Sequence, residues 1–252
     1  MRAPEGILIA LVCTVLAVIG MAVVLGGEAE AADIYIPGDW VVDTDLEYSG
    51  DTVIVRGNVA IKDGGSLTLR NSTLLIDSRR NDAFALVVES TGNMYAYDSV
   101  ISNRYTDESY HRYFFNVYND TVFVNTDISR LYGWRDRHGG LRLYYGTHFI
   151  KGCNIFSSST YGIFAATHVT MLETHIYSTS WTRFQLATQD RLYDIEWRIE
   201  NCTFTGNVND PYSYGIATND GFDTHYRRYI NITNCNFAGL SYGVYSDPDW
   251  NP

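Results

Sequence analysis

An eight-residue pattern that returns seven times along the chain constrains the fold more than any other feature of the sequence. Each copy has an apolar residue two positions before its central residue and another three positions after it. The central residues are Asn71, Asp98, Asn125, Gly152, Glu173, Asn201 and Asn234, separated by 27, 27, 27, 21, 28 and 33 residues. Self-similarity at such a period predicts a solenoid in which each repeat forms one coil.

The apolar positions predict a corner at the centre of each copy. They are Leu69, Ala96, Phe123, Ile150, Met171, Ile199 and Ile232 before the centre, and Leu74, Ile101, Ile128, Ile155, Ile176, Phe204 and Phe237 after it. Side chains alternate along a strand, so positions two before and three after the centre cannot share one face of a straight strand. A bend resolves the conflict, and Asn, Asp and Gly tolerate the backbone angles that a bend requires. The residue after the centre is always Ser, Thr or Cys and is predicted to point inward.

A further strand is predicted later in each coil, within 84–88, 113–117, 141–145, 161–165, 183–187, 214–218 and 242–246. Loops of different length between the strands account for the drifting period. We therefore expect an all-β fold, a parallel β-helix solenoid of about seven to eight coils. Residues 33–66 are predicted to form an N-terminal cap and first coil, and residues 67–252 the repeats. Because the last repeat stops one strand after a full coil, we expect further coils beyond Pro252.

The N-terminus is predicted to be a hydrophobic export helix. Residues 6–27 form an apolar run that is preceded by Arg2 and is long enough to span a bilayer. Ala29-Glu-Ala31 also supplies a small-x-small cleavage pattern, so residues 1–32 are either a cleaved signal peptide or an uncleaved membrane anchor. In both cases the chain from about Asp33 is predicted to lie outside the cytoplasm, either anchored at the cell surface or secreted.

Net charge and cysteine content limit which partners the chain can bind and which disulfide bonds it can form. The formal net charge of −11 disfavours nucleic acid, because an acidic chain repels phosphate backbones. Cys153, Cys202 and Cys235 share the inward position and are predicted to be buried free thiols. The alternative is a disulfide between Cys202 and Cys235 in adjacent coils. Four sequons are candidate glycan acceptors, at Asn71, Asn119, Asn201 and Asn231.

Charged residues collect in the interstrand loops of successive coils and predict a ligand groove. The candidates are Arg104, Asp107, His111, Arg112, Arg135, Asp136, Arg137 and His138. A polysaccharide lyase would need carboxylates that hold Ca²⁺ and an Arg or Lys base, and these loops carry both residue types. Asp220 and Asp223 form a weaker Ca²⁺ candidate, since their spacing matches no EF-hand consensus. No other cofactor or metal is expected.

The repeats Ile199-Glu-Asn-Cys-Thr-Phe-Thr-Gly and Ile232-Thr-Asn-Cys-Asn-Phe-Ala-Gly resemble the pectin-lyase-like right-handed β-helix superfamily. In particular, they are similar to the NosD-like repeats of secreted surface proteins, over about residues 53–246. The resemblance implies a right-handed coil and leaves the function open, because such folds serve as enzymes, adhesins and spacers. Outward Tyr95, Tyr97, Tyr144, Tyr145 and Tyr245 favour contact with carbohydrate or another envelope component. We therefore expect a structural or binding protein of the cell surface; the alternative is a polysaccharide lyase or glycoside hydrolase acting on an acidic polysaccharide.

Overall fold

The computed structural model describes residues 31–81, 83–105, 111–132, 139–157, 161–178, 184–188, 194–206, 213–219 and 228–247. These residues form 26 β-strands, and none of them lies in a helix. The hydrophobic helix predicted for 6–27 and the candidates Asp107, Arg135, Asp136, Arg137, His138, Asp220 and Asp223 lie outside the described residues. Within the described ranges, no helix has the length and apolar character needed to cross a bilayer.

The strands, numbered along the chain, form three parallel sheets. Sheet A contains β1 (Asp33–Ile36), β4 (Thr52–Val55), β7 (Thr73–Ile76), β10 (Val100–Asn103), β13 (Asp127–Leu131), β16 (Asn154–Ser157), β19 (His175–Ser178), β22 (Thr203–Thr205) and β25 (Asn236–Ala238). Sheet B contains β2 (Trp40–Val42), β5 (Val59–Ile61), β8 (Ala85–Val88), β11 (Phe114–Val117), β14 (Leu141–Leu143), β17 (Tyr161–Ala165), β20 (Phe184–Thr188), β23 (Tyr214–Asn219) and β26 (Tyr242–Asp247). Sheet C contains β3 (Asp45–Ser49), β6 (Ser66–Arg70), β9 (Asn93–Tyr97), β12 (Thr121–Val124), β15 (Thr147–Lys151), β18 (His168–Leu172), β21 (Ile195–Glu200) and β24 (Arg228–Thr233).

The chain visits sheets A, B and C in turn, and each strand pairs in parallel with the strand three places later. Three strands therefore make one rung, and rungs stack about 4.8 Å apart. This confirms the all-β parallel solenoid. Regular stacking already starts with β1. The described residues therefore form nine strands in sheet A and nine in sheet B, which is at least one rung more than the seven to eight coils that the repeat predicts. Trp40 and its neighbours form β2 and continue sheet B at this end.

The predicted corners lie between sheet C and sheet A. Every central residue of the repeat has a positive φ, from 48° at Asn71 to 64° at Gly152, and Gly50 makes the equivalent corner one rung earlier at 77°. These are left-handed backbone angles, which Asn, Asp and Gly adopt at low cost. At one corner, the Asn125 side-chain amide also donates to Asp98 Oδ1 of the preceding corner, at 2.9 Å. The local chemistry of one residue per coil thus turns the chain.

The interior follows the alternation that the repeat predicts. The apolar positions before and after each corner are fully buried in the first six copies, while Ile232 and Phe237 in the last copy are partly buried. Sheet B adds a third wall of buried residues such as Leu86, Phe115 and Leu141. Each fully buried side chain of this size contributes roughly 1.5–3 kcal/mol, and the contributions accumulate along the stack.

A row of small polar residues lines the corner interior, as the repeat predicts. Ser72, Ser99, Thr126, Cys153, Thr174, Cys202 and Cys235 each donate to the backbone carbonyl two residues earlier, at 2.7–3.4 Å. Several also accept from the backbone N–H of the preceding rung, as Cys153 Sγ does from Thr126 at 3.5 Å. The three described cysteines are free thiols; Cys153 and Cys202 are buried as predicted, whereas Cys235, in the last repeat, is only half-buried. Burial raises the pKa of the Cys153 thiol to about 11 and that of Cys202 to about 12.

A buried histidine makes the stability of this interior sensitive to pH. His148 is fully buried in sheet C, where its Nδ1 lies 2.8 Å from Thr121 Oγ1 and its Nε2 lies 3.0 Å from the Tyr145 carbonyl oxygen. Burial lowers the pKa of His148 from 6.5 to about 4. Between pH 4 and 6.5, His148 therefore carries a proton in the unfolded chain but not in the folded chain. Stability should fall as the pH drops from about 6.5 to 4, by about 3 kcal/mol.

Chemical denaturation at a series of pH values measures this dependence. His148→Gln should flatten the stability profile between pH 6.5 and 4, because the glutamine side chain binds no proton in this range. An unchanged profile in His148→Gln would contradict the assignment.

Candidate ligand-binding face

The corner between sheets A and B carries a cluster of polar and aromatic side chains in the third and fourth rungs. Asp77 follows β7, and its Oδ2 accepts from Arg104 Nη1 at 3.1 Å. The Asp77 side chain is 1% exposed and that of Arg104 is 45% exposed, so the ion pair is half-open to solvent. Tyr105 receives a hydrogen bond from Arg79 Nε at 3.0 Å, and its ring centroid is 5.0 Å from that of His111. We call Asp77, Arg79, Arg104, Tyr105 and His111 the corner cluster.

The corner cluster contains hydrogen-bonding capacity that the described side chains leave unused. Asp77 Oδ1, the neighbouring Asn81 Oδ1 and His111 Nδ1 are buried and have no hydrogen-bond partner. Buried polar atoms are nearly always satisfied, and an unsatisfied one costs about 1–3 kcal/mol. Ordered water inside the corner would satisfy these atoms; a ligand would reach them only if the side chains around them moved.

The structure brings together some of the predicted groove residues. Arg104 and His111 belong to the corner cluster, and Arg112 is half-buried just before β11. Arg104 is already paired with Asp77, so it is not poised as a free base. The remaining groove residues lie outside the described ranges. Among the described residues, no group of three or more His, Cys, Asp or Glu could hold a metal ion.

The corner cluster adjoins the outer side of sheet B, which carries an arginine among aromatic rings. Leu141 and Leu143 of β14 point into the core, so Arg142 between them points outward. Arg142 pairs in register with Asn116 on β11 and with Phe164 on β17. Its guanidinium carbon lies 5.5 Å from the Phe114 ring centroid, within cation–π range.

Aromatic rings continue this outer side across three rungs. Tyr118 and Tyr144 stack in parallel with centroids 4.9 Å apart and an interplanar angle of 9°. Tyr144 is also 6.0 Å from Phe164, which belongs to a small apolar cluster separate from the main core. Burial raises the pKa of Tyr118, so its hydroxyl stays protonated at neutral pH. Phe164 itself is only 1% exposed, so it supports Tyr144 from below. We call Phe114, Asn116, Tyr118, Arg142 and Tyr144 the Arg142 face.

Of the five predicted outward tyrosines, only Tyr144 belongs to the Arg142 face. Tyr145 follows it and is 43% exposed. Tyr95 and Tyr97 lie on the outer side of sheet C, where Arg70 covers the Tyr97 ring at 4.7 Å. Tyr245 lies on sheet B, 4.8 Å from Tyr214. The predicted tyrosines therefore belong to two different surfaces.

Two residues central to the site escaped the sequence analysis. Arg142 occupies the outward position of its strand. In the other described rungs of sheet B, the residue at this position is uncharged, as Val87 and Asn116 are. Comparing this position between repeats would have found it. Asp77 carries no such signal, because its burial depends on loop residues that have no repeat.

The four sequons differ in accessibility. Asn71, Asn201 and Asn231 are exposed. Asn119 is half-buried, and its Nδ2 donates to the Gly92 carbonyl at 3.0 Å and to Asn93 Oδ1 at 3.2 Å. Glycosylation remains a prediction for all four, and at Asn119 it would replace these hydrogen bonds.

No family model, curated protein or solved structure matches the chain. Its function must therefore be argued from the fold and from the two surfaces described above.

Proposed function

We propose that the chain is an exported cell-surface protein whose stacked rungs present the Arg142 face to carbohydrate or another envelope component. Its coil is right-handed, of the pectin-lyase-like kind, with NosD-like repeats and without a catalytic role. The N-terminal segment serves as a signal peptide or membrane anchor. The observation that supports binding best is the outward row of aromatic rings around Arg142.

Aromatic rings at this spacing suit a carbohydrate ligand. The apolar face of a sugar ring packs on an aromatic ring, while amide and guanidinium groups bond to its oxygens. The Arg142 face combines stacked Tyr118 and Tyr144 rings with polar Asn116 and Arg142. A rigid sheet holds these groups in place, which lowers the entropic cost of binding an extended chain.

Removing the stacked tyrosines tests this proposal. The double variant Tyr118→Ala/Tyr144→Ala should bind polysaccharide at least about tenfold more weakly, since each lost ring contact is worth roughly 1 kcal/mol. The measurement is affinity electrophoresis or calorimetry of the purified protein against a panel of neutral and acidic polysaccharides.

A matched control is available on sheet A. Phe156 and Tyr177 are adjacent outward rings with centroids 4.9 Å apart, so Phe156→Ala/Tyr177→Ala removes a comparable pair from another surface. That variant should bind like the wild type. Equal losses in both double variants would remove the reason to assign binding to sheet B, and a panel with no bound polysaccharide would refute carbohydrate as the partner.

The corner cluster favours a second candidate function, a polysaccharide lyase or glycoside hydrolase acting on an acidic polysaccharide. Its Asp77 Oδ1 and His111 Nδ1 are buried without a hydrogen-bond partner, and a catalytic role is one explanation for such atoms. Incubating the protein with uronate polymers, with and without Ca²⁺, separates the two proposals. Release of unsaturated or reducing ends that is lost in His111→Ala would favour the enzyme.

A further inference from the structure

The outer side of sheet C carries a continuous apolar surface in the middle of the solenoid. Met94, Phe123 and Ile150 of this sheet are fully buried, so the residues that alternate with them point outward. Strands β9, β12, β15 and β18 pair in register, which stacks the outward residues into two rows across rungs three to six. We call the apolar members of these rows the sheet C patch; they are half-buried and comprise Tyr95, Tyr97, Val122, Val124, Phe149 and Leu172.

An exposed ion pair borders the sheet C patch at each end. In the first two rungs, Arg70 Nε donates to Glu47 Oε1 at 2.9 Å, and both side chains are about half exposed. In the seventh rung, Arg198 donates to both carboxylate oxygens of Glu200, at 2.7 and 2.9 Å. The row that starts with Glu47 reaches Arg198, and the row that starts with Arg70 reaches Glu200. Each row therefore has opposite charges at its two ends.

This charge pattern is complementary to itself when a second copy is turned end over end. A twofold axis along the strands, between rungs four and five, places each row against the same row of the other copy in reverse order. Arg70 then faces Glu200 of the other copy, and Arg198 lies beside its Glu47. Exposed ion pairs contribute little within one copy, so their charges can also interact with the other copy at low cost.

The same axis brings apolar residues together between the charged ends. Val122 in rung four faces Phe149 in rung five, and Tyr97 in rung three faces Leu172 in rung six. With the two solenoids parallel instead, Phe149 would face Lys151, and Arg70 would lose its acidic counterpart. Charge complementarity therefore favours the antiparallel orientation.

We propose that two copies of this chain associate through the sheet C patch with their solenoid axes antiparallel. Such a twofold contact is closed and uses the same surface on both copies. Eight rungs of five-residue strands measure about 35 by 16 Å, so the dimer would cover about 1,100 Å² in total. This lies at the lower end of specific interfaces, and we expect a reversible dimer with a Kd of about 1–100 µM.

A lysine in the centre of the patch tests the surface. Val122→Lys should weaken the dimer at least about tenfold in sedimentation equilibrium of the purified protein, because it places two like charges near the twofold axis. Val87→Lys is the matched control, since Val87 is also a half-buried outward valine but lies on sheet B. Val87→Lys should dimerise like the wild type.

Charge reversal tests the orientation. Arg70→Glu and Glu200→Arg should each weaken the dimer about tenfold, because each variant places two like charges against each other at both ends. An equimolar mixture of the two variants should recover the affinity of the wild type, since each reversed residue then meets its opposite charge. Recovery also shows that both variants are folded. A mixture as weak as the separate variants would overturn the antiparallel arrangement.

Other results would overturn the dimer itself. A wild-type protein that stays monomeric up to about 200 µM would refute association. Oligomers that persist unchanged in Val122→Lys would assign the contact to another part of the chain, such as residues 6–27, and refute the role of sheet C. Equal weakening by Val87→Lys would do the same. Carbohydrate binding on sheet B is measured separately, so either proposal can fail alone.

Discussion

Replacing Gly140 with alanine is expected to lower the free energy of unfolding by about 3–4 kcal/mol, whereas the same change at Gly50 should lower it by about 1–2 kcal/mol. Both glycines have left-handed backbones, with φ of 79° at Gly140 and 77° at Gly50. They differ in their surroundings. A Cβ at Gly140 would lie 2.3 Å from the carbonyl oxygens of Tyr161 and Gly162, while a Cβ at Gly50 meets nothing within 4 Å.

The contact at Gly140 cannot be relieved by a side-chain movement, because the obstructing atoms are backbone atoms of the next rung. Relief requires β14 and β17 to separate, where Leu141 pairs with Ile163. Arg142 lies two residues beyond Gly140, so Gly140→Ala should also disturb ligand binding on sheet B. Urea denaturation of both variants measures the stability difference. Equal losses at the two positions would mean that backbone strain alone, and not the contact between rungs, makes glycine necessary at 140.

The corners and the interior could be predicted from the sequence because both depend on local chemistry. Alternation of side chains fixes which residues face inward, and the switch in parity at Asn125 and its equivalents is explained only by a turn. The structure places left-handed angles at those residues and buries Ile128 and Phe204 in one interior. Even Glu173, a residue type that rarely adopts such angles, does so here with φ of 52°.

The candidate site was less predictable because it depends on contacts between rungs. Alternation with Leu141 and Leu143 indicates that Arg142 points outward. The sequence does not show that Asn116 is its register partner, because the lengths of the loops decide which residues of neighbouring rungs pair. A bulge in β13 adds to this difficulty. The register shifts between Ile128 and Leu131, Arg130 has φ of 63°, and Tyr113 pairs with Leu131 from outside the regular strands. No repeat position signals such an irregularity.

Replacing Phe123 with alanine is expected to lower the free energy of unfolding by roughly 4 kcal/mol. Phe123 is fully buried in sheet C and lies 5.9 Å from the Phe115 ring across the interior. Its register partner in the preceding rung is Ala96, the smallest residue at that repeat position. A large side chain beside a small one fills the interior evenly, so removing Phe123 leaves a cavity that Ala96 cannot fill.

Phe149→Ala is the matched control, because Phe149 lies one rung later on the same sheet and is half-buried on its outer side. Phe149→Ala should lower the free energy of unfolding by less than about 1 kcal/mol. Hydrogen exchange should report lost protection mainly in the rungs next to Phe123, since each rung contacts only its neighbours. Uniform loss along the whole chain would contradict additive stacking.

A second substitution can distinguish a cavity from a general loss of hydrophobicity. Ala96→Leu alone should destabilise the wild type by about 1–3 kcal/mol, because Phe123 already occupies the space beside it. In the Phe123→Ala background the same leucine should recover part of the lost stability, giving a non-additive double-mutant cycle. Additive effects would mean that residues 96 and 123 do not share one interior, and stacking of successive rungs around a common core would then be wrong at this point.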